Sequence, residues 1–313
     1  MKHPIQGLHH VTATVGEAQA DLDFYRGALG LRLVKKTVNF DNHNVYHLYY
    51  GDEQGTPGTI WTTFPYKGWG VPPGQHGEGQ ITVTSFSVPA SSLSFWKDRL
   101  RTRRVEVREQ GSAFGEDAIA FSDPSGLSIQ LIGTPDRRAP WTGSGIAPDD
   151  GVRGLHSVTL SVGAPAATVA LLTGVLGFEV VDEREGRIRL SVNAREPGKT
   201  VEILYSSGAP RARNGLGTVH HVALAIEGLD QQLRLREELL GRGLGVTDVL
   251  DRQYFQSIYF REPGGVLLEV ATISPGFTVD ESLTGLGQEL KLPPWEEPHR
   301  VTIERGLPRV TSP

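Results

Sequence analysis

Apolar positions along this chain follow two rhythms, and the two recur in a fixed order. Runs in which apolar residues alternate with polar or small ones have the period of a strand. They open four segments: GLHHVTATV from Gly7, ITVTSFSVP from Ile81, GLHSVTLSV from Gly154 and TVHHVALAI from Thr218. A stretch with apolar residues at helical spacing comes after each one: EAQADLDFYRGALGL, SSLSFWKDRLRT, AATVALLTGVLGF and DQQLRLREELLGRG. Strand-like runs come next: VYHLYYGD and GTIWTTFP, AIAFSD and LSIQLIG, IRLSV and TVEILYS, QSIYFR and VLLEVAT. The pattern predicts an α+β fold built from four βαβββ modules, an internal repeat that sets the whole architecture.

The closing hairpins align without a gap. AFSDPSGLSIQLIG from Ala120 lies over YFREPGGVLLEVAT from Tyr259, so that Pro124 matches Pro263, Gly126 matches Gly265 and Gln130 matches Glu269. Pro and Gly at these places suit a tight turn. Residues 136–153, rich in Pro, Gly and Asp, read as a linker between an N-terminal domain of two modules (1–135) and a C-terminal domain of two more (154–272). The tail, 273–313, has no clear period and is expected to pack on the body.

Composition narrows the function. The chain has 313 residues, 38% hydrophobic and 21% charged, as in an ordinary globular protein. A net charge of -5 without a basic stripe gives no footprint for nucleic acid. No apolar run approaches a membrane span, and no apolar stretch succeeds Lys2 to make a secretory signal, so a cytoplasmic protein is expected. A homo-oligomer is compatible with the sequence. There are no cysteines, so any metal must sit on His, carboxylate or amide oxygen.

Candidate chemistry lies where the repeats differ. Alternation puts His10, Thr12 and Thr14 on one face of the first opening run, and His221, Ala223 and Ala225 on the equivalent face of the fourth. His9 and His220 fall on the opposite, apolar face. At the position of His10 and His221 the other modules carry Ser157 and Val83. On the closing strand only module four offers an acid, Glu269; module two has Gln130, and Thr63 and Ile203 are aligned there in modules one and three. Glu269 sits inside the apolar run VLLEVAT, where a carboxylate without a cation or donors would be costly. Two imidazoles and a carboxylate are the common set for mononuclear iron(II), although zinc, manganese or nickel can occupy it too.

At these residues the sequence resembles the vicinal-oxygen-chelate (glyoxalase/bleomycin resistance/extradiol dioxygenase) superfamily, and within it the hydroquinone-cleaving ring dioxygenases. The resemblance covers almost the whole chain and is most specific at LHHVT from Leu8, VYHLYYGDEQGTPGTIWTTFP from Val45 and DRQYFQSIYFREPGGVLLEV from Asp251. It implies modules paired into two domains with curved mixed sheets. It also implies cleavage of a para-dihydroxybenzene by iron(II) and O2, with His10, His221 and Glu269 as ligands. Around them it places His9, Thr12, His220, Arg252 and Tyr259. In that scheme Tyr259 donates to the bound substrate oxygen, Arg252 stabilises negative charge and His220 shuttles a proton. Trp61, Phe64 and Tyr254 are candidates to line the pocket. The rival readings are a glyoxalase-like metal-dependent isomerase and a metal-free protein that binds a small aromatic.

Overall fold

The four alternating runs are strands in the computed structural model, which describes residues 5–184 and 186–311. Module one runs β1 (Ile5–Val15), α1 (Ala18–Leu22), a wider π-type helical turn (Asp23–Ala28), β2 (Arg32–Asn39), β3 (Asn42–Gly51) and β4 (Ile60–Pro65). Module two is β5 (Gln80–Val88), α2 (Leu93–Thr102), β6 (Arg108–Gly111), β7 (Asp117–Ser122) and β8 (Ser128–Gly133). Module three is β9 (Gly154–Val162), α3 (Pro165–Gly174), β10 (Glu179–Arg184), β11 (Arg187–Ser191) and β12 (Thr200–Tyr205). Module four is β13 (Thr218–Ile226), α4 (Leu229–Gly241), β14 (Leu250–Asp251), β15 (Phe255–Arg261) and β16 (Leu267–Pro275). The βαβββ order holds in all four. The first strand after the helix escapes the alternation pattern where it is short or exposed, as in β14 and in EVVDER of β10. By contrast, β2 is eight residues long and buried on both faces.

Two eight-stranded mixed sheets result, ordered β14-β15-β16-β13-β1-β4-β3-β2 and β10-β11-β12-β9-β5-β8-β7-β6. The first joins modules four and one through the antiparallel β1–β13 pair; the second joins three and two through β5–β9. Each sequence half, 1–135 and 154–272, therefore places one module in each sheet. The expected pairing of modules within a half gives way to pairing across halves. All four opening strands carry the same alternation, so the pattern alone does not say which pairs with which.

The central pairs carry symmetric irregularities. Leu8 faces Leu224 and His10 faces Ala223, leaving His9 as an extra residue; Thr12 faces His221 and Ala13 faces Val219, leaving His220 extra. In the second sheet the same break falls at Thr82 and at His156. Such bulges bend the strand and turn a side chain out of strict alternation.

Apolar faces of both sheets and the helices bury one continuous core that includes Val11, Trp61, Phe86, Leu160, Val222 and Phe260. A smaller cluster, with Val34, Tyr49, Tyr254, Phe255, Phe277 and Leu286, seals the inner face of the first sheet under the tail. The tail is fixed by charge as well. Lys35, wholly buried, is paired with Asp280 at 2.5 Å and with Glu281. The 136–153 segment is tied down by Arg138, which donates to the carbonyls of Gly58 and Leu155 at 2.7 Å each.

Candidate metal centre

The two central strands of the first sheet bring His10 and His221 side by side, and β16, parallel to β13, sets Glu269 next to Ala223. Glu269 Oε2 lies 2.8 Å from His221 Nε2 and 3.2 Å from His10 Nε2; the two Nε2 atoms are 3.4 Å apart. Three donors about 2.1 Å from one ion, in neighbouring positions, stand roughly 3 Å from each other. Among the described residues this is the group of three His or carboxylate side chains positioned to share an ion, and all three are buried.

The donors also have the chemistry for a cation. Glu269 Oε1 accepts from the Ser257 hydroxyl, whereas Oε2 is buried without a hydrogen-bond donor. Burial alone would raise the Glu269 pKa, but the His10 and His221 imidazoles outweigh it and hold the carboxyl well below its ordinary value. His9 Nδ1 is 2.8 Å from His10 Nδ1, and His220 Nδ1 is 2.7 Å from His221 Nδ1. A ring offering its Nε2 lone pair to an ion keeps its proton on Nδ1, and in that state His9 and His220 would accept from His10 and His221 and fix their tautomers. Burial, and then the neighbouring ring, lowers both flanking histidines to about 3, so they stay neutral. Alternation alone turns these two away from the site. The bulges at His9 and His220 bring them back beside His10 and His221.

A cavity of about 550 Å³ opens over the triad. Tyr259, opposite Glu269 on β15, reaches into it. Burial, then the Glu269 charge, raises its pKa, so it is a phenol at neutral pH. Arg252 Nε donates to the Tyr259 oxygen at 3.2 Å, which leaves the phenolic proton free for an oxygen in the cavity. The same guanidinium grips Asp41 with both terminal nitrogens, at 3.3 and 3.1 Å, and so ties the β2–β3 turn to module four across the rim. Burial opposes the Arg252 charge, but Tyr259 and Asp41 raise its pKa nonetheless.

Other expectations fare unevenly. Phe64 lines the cavity, whereas Trp61 lies in the core against Tyr25 and Phe86. Tyr254 is buried under the tail, donating to Asp280 at 3.0 Å, and does not line the cavity. Thr12 is buried behind the wall and meets Thr62 at 2.9 Å. The closing-strand register shifts by one: Thr12 faces Thr62 and Thr159 faces Glu202, just as Ala223 faces Glu269. Thr62 and Glu202, rather than Thr63 and Ile203, thus match Glu269, and module three does offer an acid there. His47 and Asp41 line the cavity with no sequence signal to single them out.

The glyoxalase/bleomycin resistance protein/dioxygenase superfamily model matches residues 7–131 and 154–270, most of the chain. The chain belongs to this superfamily. It is 41% identical over 308 residues to MhqO of Bacillus subtilis (strain 168), named provisionally as a ring-cleaving dioxygenase, covering 98% of this chain and 97% of that one. It is 37% identical to the chlorohydroquinone/hydroquinone 1,2-dioxygenase of Sphingobium indicum, over 93% of this chain and 92% of the relative. A crystal structure from Bacillus subtilis, provisionally a dioxygenase, superimposes with a TM-score of 0.94 at 40% identity, covering 100% and 99% of the two chains.

Within the superfamily fold, only one of the two sheets keeps a metal-type site among the described residues. In the second, Ser157 and Val83 stand for the histidines, and Glu202 is 2.7 Å from Arg189, which also pairs with Glu116 at 2.7 Å. One guanidinium bridges the two acids of this second pseudo-site. Among the described residues no helix is long and apolar enough to cross a membrane.

Proposed function

We propose that this chain is a ring-cleaving dioxygenase that opens a hydroquinone-type ring with O2, using iron(II) held by His10, His221 and Glu269. The observation that carries the reading is the unpartnered, buried Glu269 Oε2 facing two imidazole nitrogens at the floor of a cavity large enough for an aromatic ring. Similarity to the hydroquinone dioxygenase of Sphingobium indicum along nearly the whole chain supports the substrate class. When bound, iron(II) supplies a redox-active centre with open positions for a ring oxygen and dioxygen.

The chain's own residues do the rest. Tyr259 donates its phenolic proton to the substrate oxygen, and Arg252 behind it favours negative charge at that place. His220 accepts from His221 at Nδ1 and so carries its proton on Nε2; neutral, it donates a hydrogen bond from the cavity wall to an oxygen of the reacting ring or of O2. His9 orients His10. Thr12 does not touch the cavity and acts through Thr62.

An isomerase of the glyoxalase kind would call for a carboxylate or amide on the closing strand of module one. That place holds Thr62, bonded to Thr12. Oxygen uptake by anaerobically iron-loaded protein, offered a panel of hydroquinones and catechols, tests the proposal. Uptake on hydroquinone with a product heavier by two oxygen atoms supports it. Nickel- or zinc-loaded protein that isomerises thiol adducts, with no uptake from the iron form, overturns it.

A further inference from the structure

His47 on β3 faces the same cavity from the wall that belongs to β3 and β4, whereas the triad comes from β1, β13 and β16. Its ring is wedged against Tyr49 and Phe64, with centroids 3.9 and 4.3 Å away, so its plane is fixed. A chain of hydrogen bonds fixes its protons too. Thr62 donates its hydroxyl to Thr12 at 2.9 Å and lies 2.8 Å from His47 Nε2. With the Thr62 proton already directed to Thr12, His47 Nε2 must be the donor to Thr62. The other nitrogen, Nδ1, then carries a lone pair and has no hydrogen-bond partner among the described residues, on a ring that lines the cavity.

The polar groups around the proposed substrate oxygen are donors: the Tyr259 hydroxyl, supported by Arg252. A neutral para-dihydroxybenzene held by one oxygen there presents a second O–H on the far side of its ring, and that group needs an acceptor. Resting on the dioxygenase reading, we infer that His47 Nδ1 accepts the hydrogen bond of the substrate's distal hydroxyl, which makes His47 a specificity residue for a ring hydroxylated at both ends. Thr62 and Thr12 are the positioning residues that keep its lone pair turned inward. This gives the buried Thr12 its part in the site.

The test compares anaerobic binding of hydroquinone and phenol to iron-loaded protein by calorimetry, without turnover. The wild type is expected to prefer hydroquinone by roughly three- to tenfold, the range of one net hydrogen bond. His47→Phe keeps the aromatic packing and is expected to bind the two ligands alike, with its affinity for phenol close to the wild-type value. Thr62→Val, which frees the ring to change tautomer, reduces the preference, and Thr62→Ser restores it. This pair carries the test should His47→Phe fail to fold. An undiminished preference in His47→Phe, or in Thr62→Val where His47→Phe is unfolded, overturns the inference. So does equal binding by the wild type while oxygen uptake on hydroquinone persists, and that outcome leaves the dioxygenase reading standing. Absence of uptake by the wild type overturns that reading and the role of His47 with it.

Discussion

Glu269 is wholly buried, and one of its oxygens meets no donor. A carboxylate left so in a dry site destabilises the fold unless a cation completes it. Adding iron(II) should therefore raise the melting temperature, since a ligand at a hundred times its dissociation constant stabilises by about 2.7 kcal/mol. In Glu269→Ala that shift should vanish while circular dichroism shows a folded protein. Its iron content should fall by more than the ~10–100-fold that loss of a supporting partner costs. A full iron-dependent shift in the variant would contradict the role. His10, His221 and Glu269 are legible in the sequence because two modules repeat the same histidine position and a third residue interrupts an apolar run with an acid. His47 and Asp41 are not. Each is a single polar residue with no counterpart in a second module, and what matters about them is what they face across the cavity.

Among elements, the bulges in β1 and β13 decide the site. Strict alternation describes an ideal strand, and one extra residue reverses the face of every later position. Hence the periodicity places His10 and His221 correctly but misplaces His9 and His220. The one-residue slip at Thr62 and Glu202 has a different origin, since β4 and β12 pair with β1 and β9 without a bulge and their runs, which lack strict alternation, leave the alignment to Glu269 undetermined. α1 is held differently. Asp21 accepts from Tyr50 of β3 and Thr63 of β4, both at 2.6 Å, tying the helix to the sheet. Burial raises its pKa from 3.8 to about 7, with those hydroxyls opposing. Between these values the folded protein holds a proton that the unfolded chain releases. The stabilisation from Asp21 is thus present below pH 3.8 and is lost as the pH rises through about 7. Asp21→Asn cannot titrate, so its melting temperature relative to the wild type should be more favourable at pH 8.5 than at pH 5. A gap independent of pH would count against the assignment. At the rim, Asp41→Asn frees Arg252 from its partner on the β2–β3 turn. This should change KM for hydroquinone several-fold in steady-state kinetics while iron content stays at the wild-type level.

For the whole molecule, the pseudo-symmetry of two sheets explains both what the repeat reveals and what it conceals. The four modules and their order are readable from periodicity; which modules share a sheet is not, because the opening strands are interchangeable in pattern. Pairing module one with module four is what brings His10, His221 and Glu269, from the first and last quarters of the chain, beside one another. The other sheet keeps the geometry with different chemistry, Arg189 bridging Glu202 and Glu116. Arg189→Met leaves the buried Glu202 without its cation, while Glu116 keeps Ser112 and His156, so unfolding in urea should show a loss of about 3 kcal/mol, as when one partner of a buried pair is removed. Oxygen uptake should be little affected. The functional centre itself is tested most directly by diffraction from iron-soaked crystals, collected on both sides of the iron absorption edge. A single anomalous peak about 2 Å from His10 Nε2, His221 Nε2 and Glu269 Oε2 is expected. Full iron loading with no peak between these three atoms would contradict it.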